Sequence, residues 1–244
     1  MRCILTIWRR DLKAVFVSPV AYVVMVVFLS ITGWVFLQLV EGHIGAMEPL
    51  PVLMFKVMVF FWLPALAAVI TMRCFADEKR LGTIETLMTS PISDSQIVLG
   101  KFFAAWSFLL LVTLPALGNL WLLAWASPAL ESIDAGAVTG GVILYVLLSG
   151  MCVAAGLLAS LCTKNQIVAF VSCFAVVLLA VLAGELLVTL PYAGGAGFEA
   201  LVLSRQVVDF SRGLIDSRPL VIYVTATAWL LFLAVRLLEW SRWR

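Results

Sequence analysis

Residues able to do chemistry are few in this sequence, and they gather between positions 72 and 101. Arg73 is followed by Asp77-Glu78-Lys79-Arg80, then by Leu81-Gly82-Thr83-Ile84-Glu85-Thr86-Leu87-Met88, and the run closes on Thr89-Ser90-Pro91. The chemistry this pattern offers is recognition. Gly82 permits a break or tight turn, Thr83 can cap a short helix, and Pro91 stops it. On that helix Ile84, Leu87 and Met88, at spacings of three and four, make a small apolar face suited to a groove on a partner. The carboxylates Asp77, Glu78 and Glu85 are its polar handles. A solvated loop with a local hairpin is the plainer reading of the same residues.

Other chemistries lack their residues. The single His43 falls in a short loop, and Cys3, Cys74, Cys152, Cys162 and Cys173 have no paired spacing, so no metal site, no disulfide framework and no cofactor is expected on this chain. A membrane-embedded enzyme, one alternative, needs nucleophiles, paired carboxylates or histidine clusters facing a wet cavity, and no catalytic set of that kind is found. A gradient-driven transporter, another alternative, calls for inverted repeats and midplane ion ligands; no clear repeat is seen. Gly100-Lys101 is followed by Phe102 and not by Ser or Thr, so it is not a phosphate-binding loop. The intramembrane polar residues that would mark a substrate pathway are Asn119 and Glu185, with Gln38 near the outer end of the first span. Pro64 and Pro115 are placed to kink their helices.

The elements that must carry these residues follow from composition. Hydrophobic residues make up 64% of the 244 and charged ones 12%, far from the balance of a water-soluble domain. A bilayer core needs about 20 apolar residues per helical span, and six such runs occur: 20–40, 50–71, 102–126, 137–161, 167–190 and 220–238. The runs are apolar all round, as in Phe108-Leu109-Leu110-Leu111-Val112, which argues for helices and against the alternating strands of a barrel. The fold class expected is all-α, integral to the membrane.

Basic residues set the orientation. With the N-terminus inside, Arg2, Arg9, Arg10, Lys13, Arg73, Lys79, Arg80, Lys101, Lys164, Arg236, Arg242 and Arg244 fall on one side, and the outer loops hold only Arg205, Arg212 and Arg218. Both termini are therefore expected to be cytoplasmic. Arg9-Arg10 superficially matches a twin-arginine export pattern, but the apolar run behind it is too long and five further spans follow. Residues 1–18 read better as an amphipathic helix on the inner surface, with Ile4, Ile7, Trp8, Leu12 and Val15 toward lipid and Pro19 at the corner before the first span. In the loop 191–219, Leu203, Val207, Phe210 and Leu214 repeat at helical spacing, and Arg205, Asp209, Arg212 and Asp216 can lace the opposite face. Gly150 with Ala154 and Gly156 with Ser160 are small-residue pairs for helix packing in the fourth span, most simply within the chain.

The stretch Phe75 to Pro91, with Gln96-Ile97-Val98-Leu99-Gly100-Lys101-Phe102 after it, resembles the signature of ABC-2 type permeases. Ser18-Pro19-Val20-Ala21-Tyr22 and Phe210-Ser211-Arg212-Gly213-Leu214-Ile215-Asp216-Ser217-Arg218 are similar to the gliding-motility-associated branch. The resemblance implies one permease domain over 1–244, with an interfacial helix at 1–18, a coupling loop at 72–101 whose element Thr83 to Met88, braced by Asp77, Glu78, Lys79 and Arg80, sits on a nucleotide-binding subunit, and an external helical element at 191–219. It implies an exporter of the bacterial inner membrane. Its expected partners are an ABC-type ATPase in two copies, which carries the ATP and Mg, a second permease, identical or related, and the lipid bilayer; no nucleic acid is expected.

Overall fold

The computed structural model of the chain describes residues 2–42, 49–83, 92–126, 135–189 and 202–242. Six of its helices are long and apolar enough to cross a membrane, and they fall on the six apolar runs. The chain opens with α1, Arg2–Val17, which ends at Ser18. Pro19 then begins α2, Pro19–Gly42, where its missing N–H costs nothing. The Ser18 carbonyl accepts the N–H of Ala21 at 3.1 Å and closes the corner.

The second span is three pieces in one line: α3, Leu50–Val57, a π-helical turn, Met58–Trp62, and α4, Leu63–Thr71. Pro64 accounts for the irregularity. It has no N–H to give to the carbonyl of Phe60, and its ring would crowd that carbonyl in a regular helix, so the turn before it widens. A turn at 72–75 leads to α5, Ala76–Leu81. The other elements are α6, Asp94–Ala126, α7, Ala135–Cys162, α8, Gln166–Thr189, α9, Leu203–Phe210, and α10, Ser217–Arg242. The third apolar run is counted from Phe102, yet α6 starts at Asp94. The backbone does not stop at a charge, and Lys101 is thereby placed inside a helix.

The spans are unequal. Of the most apolar stretch of each, 61%, 61% and 56% is buried in the second, third and fourth spans, against 17%, 17% and 11% in the first, fifth and sixth. The α3–α4 line, α6 and α7 are thus the protein core, and α2, α8 and α10 turn most of their apolar side chains outward, as a lipid solvent requires. Gly156 lets α7 approach α4, since a Cβ there would lie 2.1 Å from the hydroxyl oxygen of Thr71. The small-residue pair Gly156 and Ser160 is used within the chain.

Two sequence expectations are corrected. The apolar face of α1 is turned onto α6 and not to lipid. Ile7 is buried against Gly100, where a Cβ would meet its side chain at 2.7 Å, and Trp8 Nε1 donates to Ser107 Oγ at 3.0 Å. Leu12 and Val15 pack on the core, as does Phe16, edge-on to Phe108 at 5.3 Å. Periodicity specifies an apolar face but not what covers it. In the 191–219 loop, Leu203, Val207 and Phe210 share one helix face, as their spacing predicts, and that face is buried, but Leu214 is 63% exposed. Gly213, at φ 81°, ends α9: Leu214 N–H reaches the Asp209 carbonyl and Gly213 N–H the Phe210 carbonyl, both at 3.0 Å. This double closure takes Leu214, Arg212 and Asp216 off the helix, so the charge ladder cannot continue along one face.

Candidate functional site

At the end of the bundle where α5 lies, a lysine is buried among acceptors from three separate segments. Lys101 is 5% exposed, and its Nζ donates to Glu78 Oε1 at 2.7 Å and to the Cys74 carbonyl at 2.8 Å. Asp11 Oδ2 lies 3.4 Å away and the Phe75 ring centroid 5.0 Å away. An ammonium has three N–H donors and no acceptor; two carboxylates and one carbonyl match that capacity. The arrangement joins α1 through Asp11, the 72–75 turn and α5 through Cys74 and Glu78, and α6 through Lys101 itself. Arg10 brackets the cluster from outside, 2.8 Å from Asp11 and 4.0 Å from Glu78. It is exposed, so this outer pair is worth less than about 1 kcal/mol.

A second set of contacts holds the opposite side of α5. The helix begins at Phe75 with no capping side chain of its own. Its first N–H groups, those of Phe75 and Ala76, both donate to Ser160 Oγ of α7 at 3.0 Å, a cap supplied from another helix. Lys79 Nζ donates to the carbonyl of Leu161 at the end of α7, and Gln166 Nε2 of α8 donates to Asp77 Oδ1. One turn and a half of helix is therefore held by α1, α6, α7 and α8 together.

α5 then ends at Gly82, which at φ 71° takes the left-handed conformation open to glycine at no steric cost. Thr83 Oγ1 donates to the carbonyl of Glu78 at 3.4 Å. Ile84, Glu85, Leu87, Met88 and Pro91 lie outside the described residues. Beyond them the chain is held again, where the Ser93 carbonyl accepts Gln96 N–H at 2.9 Å and Ile97 N–H at 3.2 Å at the start of α6.

Of the four charged residues expected to brace this region, three bond inward: Asp77 to Gln166, Glu78 to Lys101 and Lys79 to Leu161. Arg80 is exposed and lies 3.6 Å from Asp77. Asn119 is half-buried four residues beyond Pro115, toward the opposite end of α6 from Lys101. Glu185 belongs to α8, and its side chain lies outside the described residues.

Between α1, α2, α4, α5 and α6 lies a cavity of about 300 Å³, with Asp11, Arg73, Asp77, Glu78 and Lys101 at its polar end and valines and alanines of α2, α4 and α6 along its walls. At the other end of the bundle α9 seats on α7 so closely that a Cβ on Gly140 would meet the Phe210 carbonyl at 2.2 Å. Tyr223 of α10 donates its hydroxyl proton to Gln206 there.

Sequence reasoning missed Asp11, Lys101, Ser160 and Gln166 as members of this site. The available signal was that Lys101, Ser160 and Gln166 each stand one residue from the end of an apolar run on the same expected side of the membrane, and that Asp11 is the one acid in the basic N-terminal segment on that side. Among the described residues no three His, Cys, Asp or Glu side chains converge as metal ligands do, and the five cysteines are unpaired.

The family model described as ABC-2 family transporter protein matches residues 16–193, from the end of α1 to just beyond α8. No curated protein matches the chain.

Proposed function

The chain belongs to the ABC-2 transporter family, and we propose that it is the membrane subunit through which a separate ATPase drives an exporter. The observation that carries the reading is the buried Lys101 cluster. Through it and the Ser160 contacts, the root of the 84–91 segment is fastened to four helices at once. A load applied to that segment by a partner passes into α6 and α7, the buried centre of the bundle, and is not lost in a loose loop.

In this reading residues 1–244 act as one permease domain. Thr83 to Met88 is the coupling element, offering Ile84, Leu87 and Met88 to a groove on the ATPase and Glu85 as its charged contact. α1 runs along the inner membrane surface while also packing on α6, α9 is the external element, and both termini are cytoplasmic at the bacterial inner membrane. The positive-side distribution of Lys and Arg supports that orientation. Two ATPase copies, carrying ATP and Mg, and a second permease complete the complex. The stretches 18–22 and 210–218 favour the gliding-motility-associated branch. Asn119 and Glu185 are the residues proposed to meet substrate along its pathway.

The test is purification in mild detergent of the chain expressed with its genomic neighbours. An ATPase is expected to copurify, and Glu85→Lys or a charge at Leu87 is expected to detach it while membrane insertion persists. Retention of the ATPase with unchanged ATP turnover in both variants overturns the coupling assignment.

A further inference from the structure

We propose that the outward edge of α1 holds an anionic phospholipid of the leaflet at that end of the bundle, with Arg9 and Lys13 on its phosphate and Leu5 and Val17 against its acyl chains. Leu5, Arg9, Lys13 and Val17 follow one another at a strict spacing of four, so they form one ridge slanting along the helix. All four are exposed, Leu5 at 49% and Val17 at 83%. Four residues of helix rise about 6 Å, so both cations can reach a single phosphate. The ridge is what packing leaves over. Ile7, Trp8, Leu12, Val15 and Phe16 turn to α6 and the core, and Asp11, the one acid on α1, is taken by Lys101 and Arg10. Arg9 and Lys13 meet no carboxylate among the described residues. Like charges four residues apart on a helix repel, and an anion set between them turns that repulsion into two attractions.

The apolar ends of the ridge decide for a lipid over an acidic protein surface. Val17 stands two residues before Pro19, where the first span begins, so a side chain left 83% exposed there lies where headgroups give way to acyl chains. Leu5 repeats the pattern at the other end, and the two cations between them are placed as a basic segment beside a span is placed to attract anionic headgroups. Since the apolar face of α1 is spent on α6, the helix holds the membrane by charge, and its hold selects among headgroups. This binding requires α1 to lie along the membrane surface, as read above, but no ATPase, so the chain alone tests it.

Native mass spectrometry of the full chain, purified without partners, reads the preference when phosphatidylglycerol and phosphatidylcholine of identical acyl chains are titrated in turn. The first phosphatidylglycerol is expected to bind about tenfold more tightly than the first phosphatidylcholine. Arg9→Gln with Lys13→Gln is expected to bring that ratio to about one. Arg212→Gln with Arg218→Gln, which removes the same charge from exposed positions at the α9 end of the bundle, is expected to leave it unchanged. Leu5→Ser with Val17→Ser is expected to weaken both lipids and keep the ratio. All six positions are exposed, and gel filtration checks that each variant elutes as wild type. Equal binding of the two lipids by the unaltered chain, a preference that survives loss of Arg9 and Lys13, loss of the preference in the Arg212 and Arg218 variant, undiminished binding without Leu5 and Val17, or displacement of phosphatidylglycerol by an equal concentration of inorganic phosphate each overturns the proposal.

Discussion

The two ends of this bundle hold a short helix in place by opposite means. At one end α5 is fixed by charges and side-chain hydrogen bonds from four neighbours, with Lys101 and Ser160 at the centre. At the other α9 is fixed by apolar burial of Leu203, Val207 and Phe210 and by a backbone approach to Gly140, with the Tyr223–Gln206 hydrogen bond inside it. Polar contacts specify direction and register, and they transmit displacement because each depends on an angle and a distance. Apolar burial is indifferent to small slides. The α5 end is thus suited to pass on a movement, and the α9 end to close the bundle.

Substitutions can break that contrast. Lys101→Ala leaves the part-buried Glu78 and Asp11 with only the exposed Arg10 as a cation and is expected to cost about 3 kcal/mol, the low end for breaking a buried pair. Thermal unfolding in detergent reads this loss, and ATPase stimulation by the complex should fall with it. If stability and stimulation both hold, the polar end is not the stiff one. Gly140→Ala drives a methyl into the Phe210 carbonyl, which is backbone and cannot swing aside. The expected cost is about 1–3 kcal/mol, with ATPase copurification unchanged, since the damage is at the far end. Loss of the ATPase in this variant would erase the distinction between the ends. Tyr223→Phe removes one hydrogen bond from the α9 end and is expected to lower stability by about 1 kcal/mol, again by thermal unfolding. Arg80→Ala removes an exposed cation 3.6 Å from Asp77, and a change within about 1 kcal/mol is expected. A larger loss would mean that the polar end extends outward beyond the Lys101 cluster.

The six spans were legible because an apolar run of membrane length has few other uses. The left-handed turn at Gly82 and the corner at Pro19 were legible too, since each residue type answers one local steric demand. What covers an amphipathic face was not. Ile7 and Trp8 carry the same periodicity whether they meet lipid or α6, and only the tertiary contact with Gly100 and Ser107 distinguishes the two. The Lys101 cluster was hidden for a related reason. Its members, Asp11, Cys74, Glu78 and Lys101, come from segments far apart in the chain, and in the sequence each reads as a charge or small residue flanking a span. Leu214 was misplaced because four apolar residues in helical register outweighed the stop signal of Gly213.

The widened turn at Met58–Trp62 sets the angular phase of everything after it in the second span. Taking one residue more than a regular turn, it absorbs a step of about 100° in side-chain direction. Were the turn to tighten without losing a residue, α4 would swing by that angle, carrying the Thr71 side chain away from Gly156 and the α5 root away from Ser160 and Lys101. A proline near the middle of a span and a salt-bridge cluster at its end are therefore parts of one rotational setting.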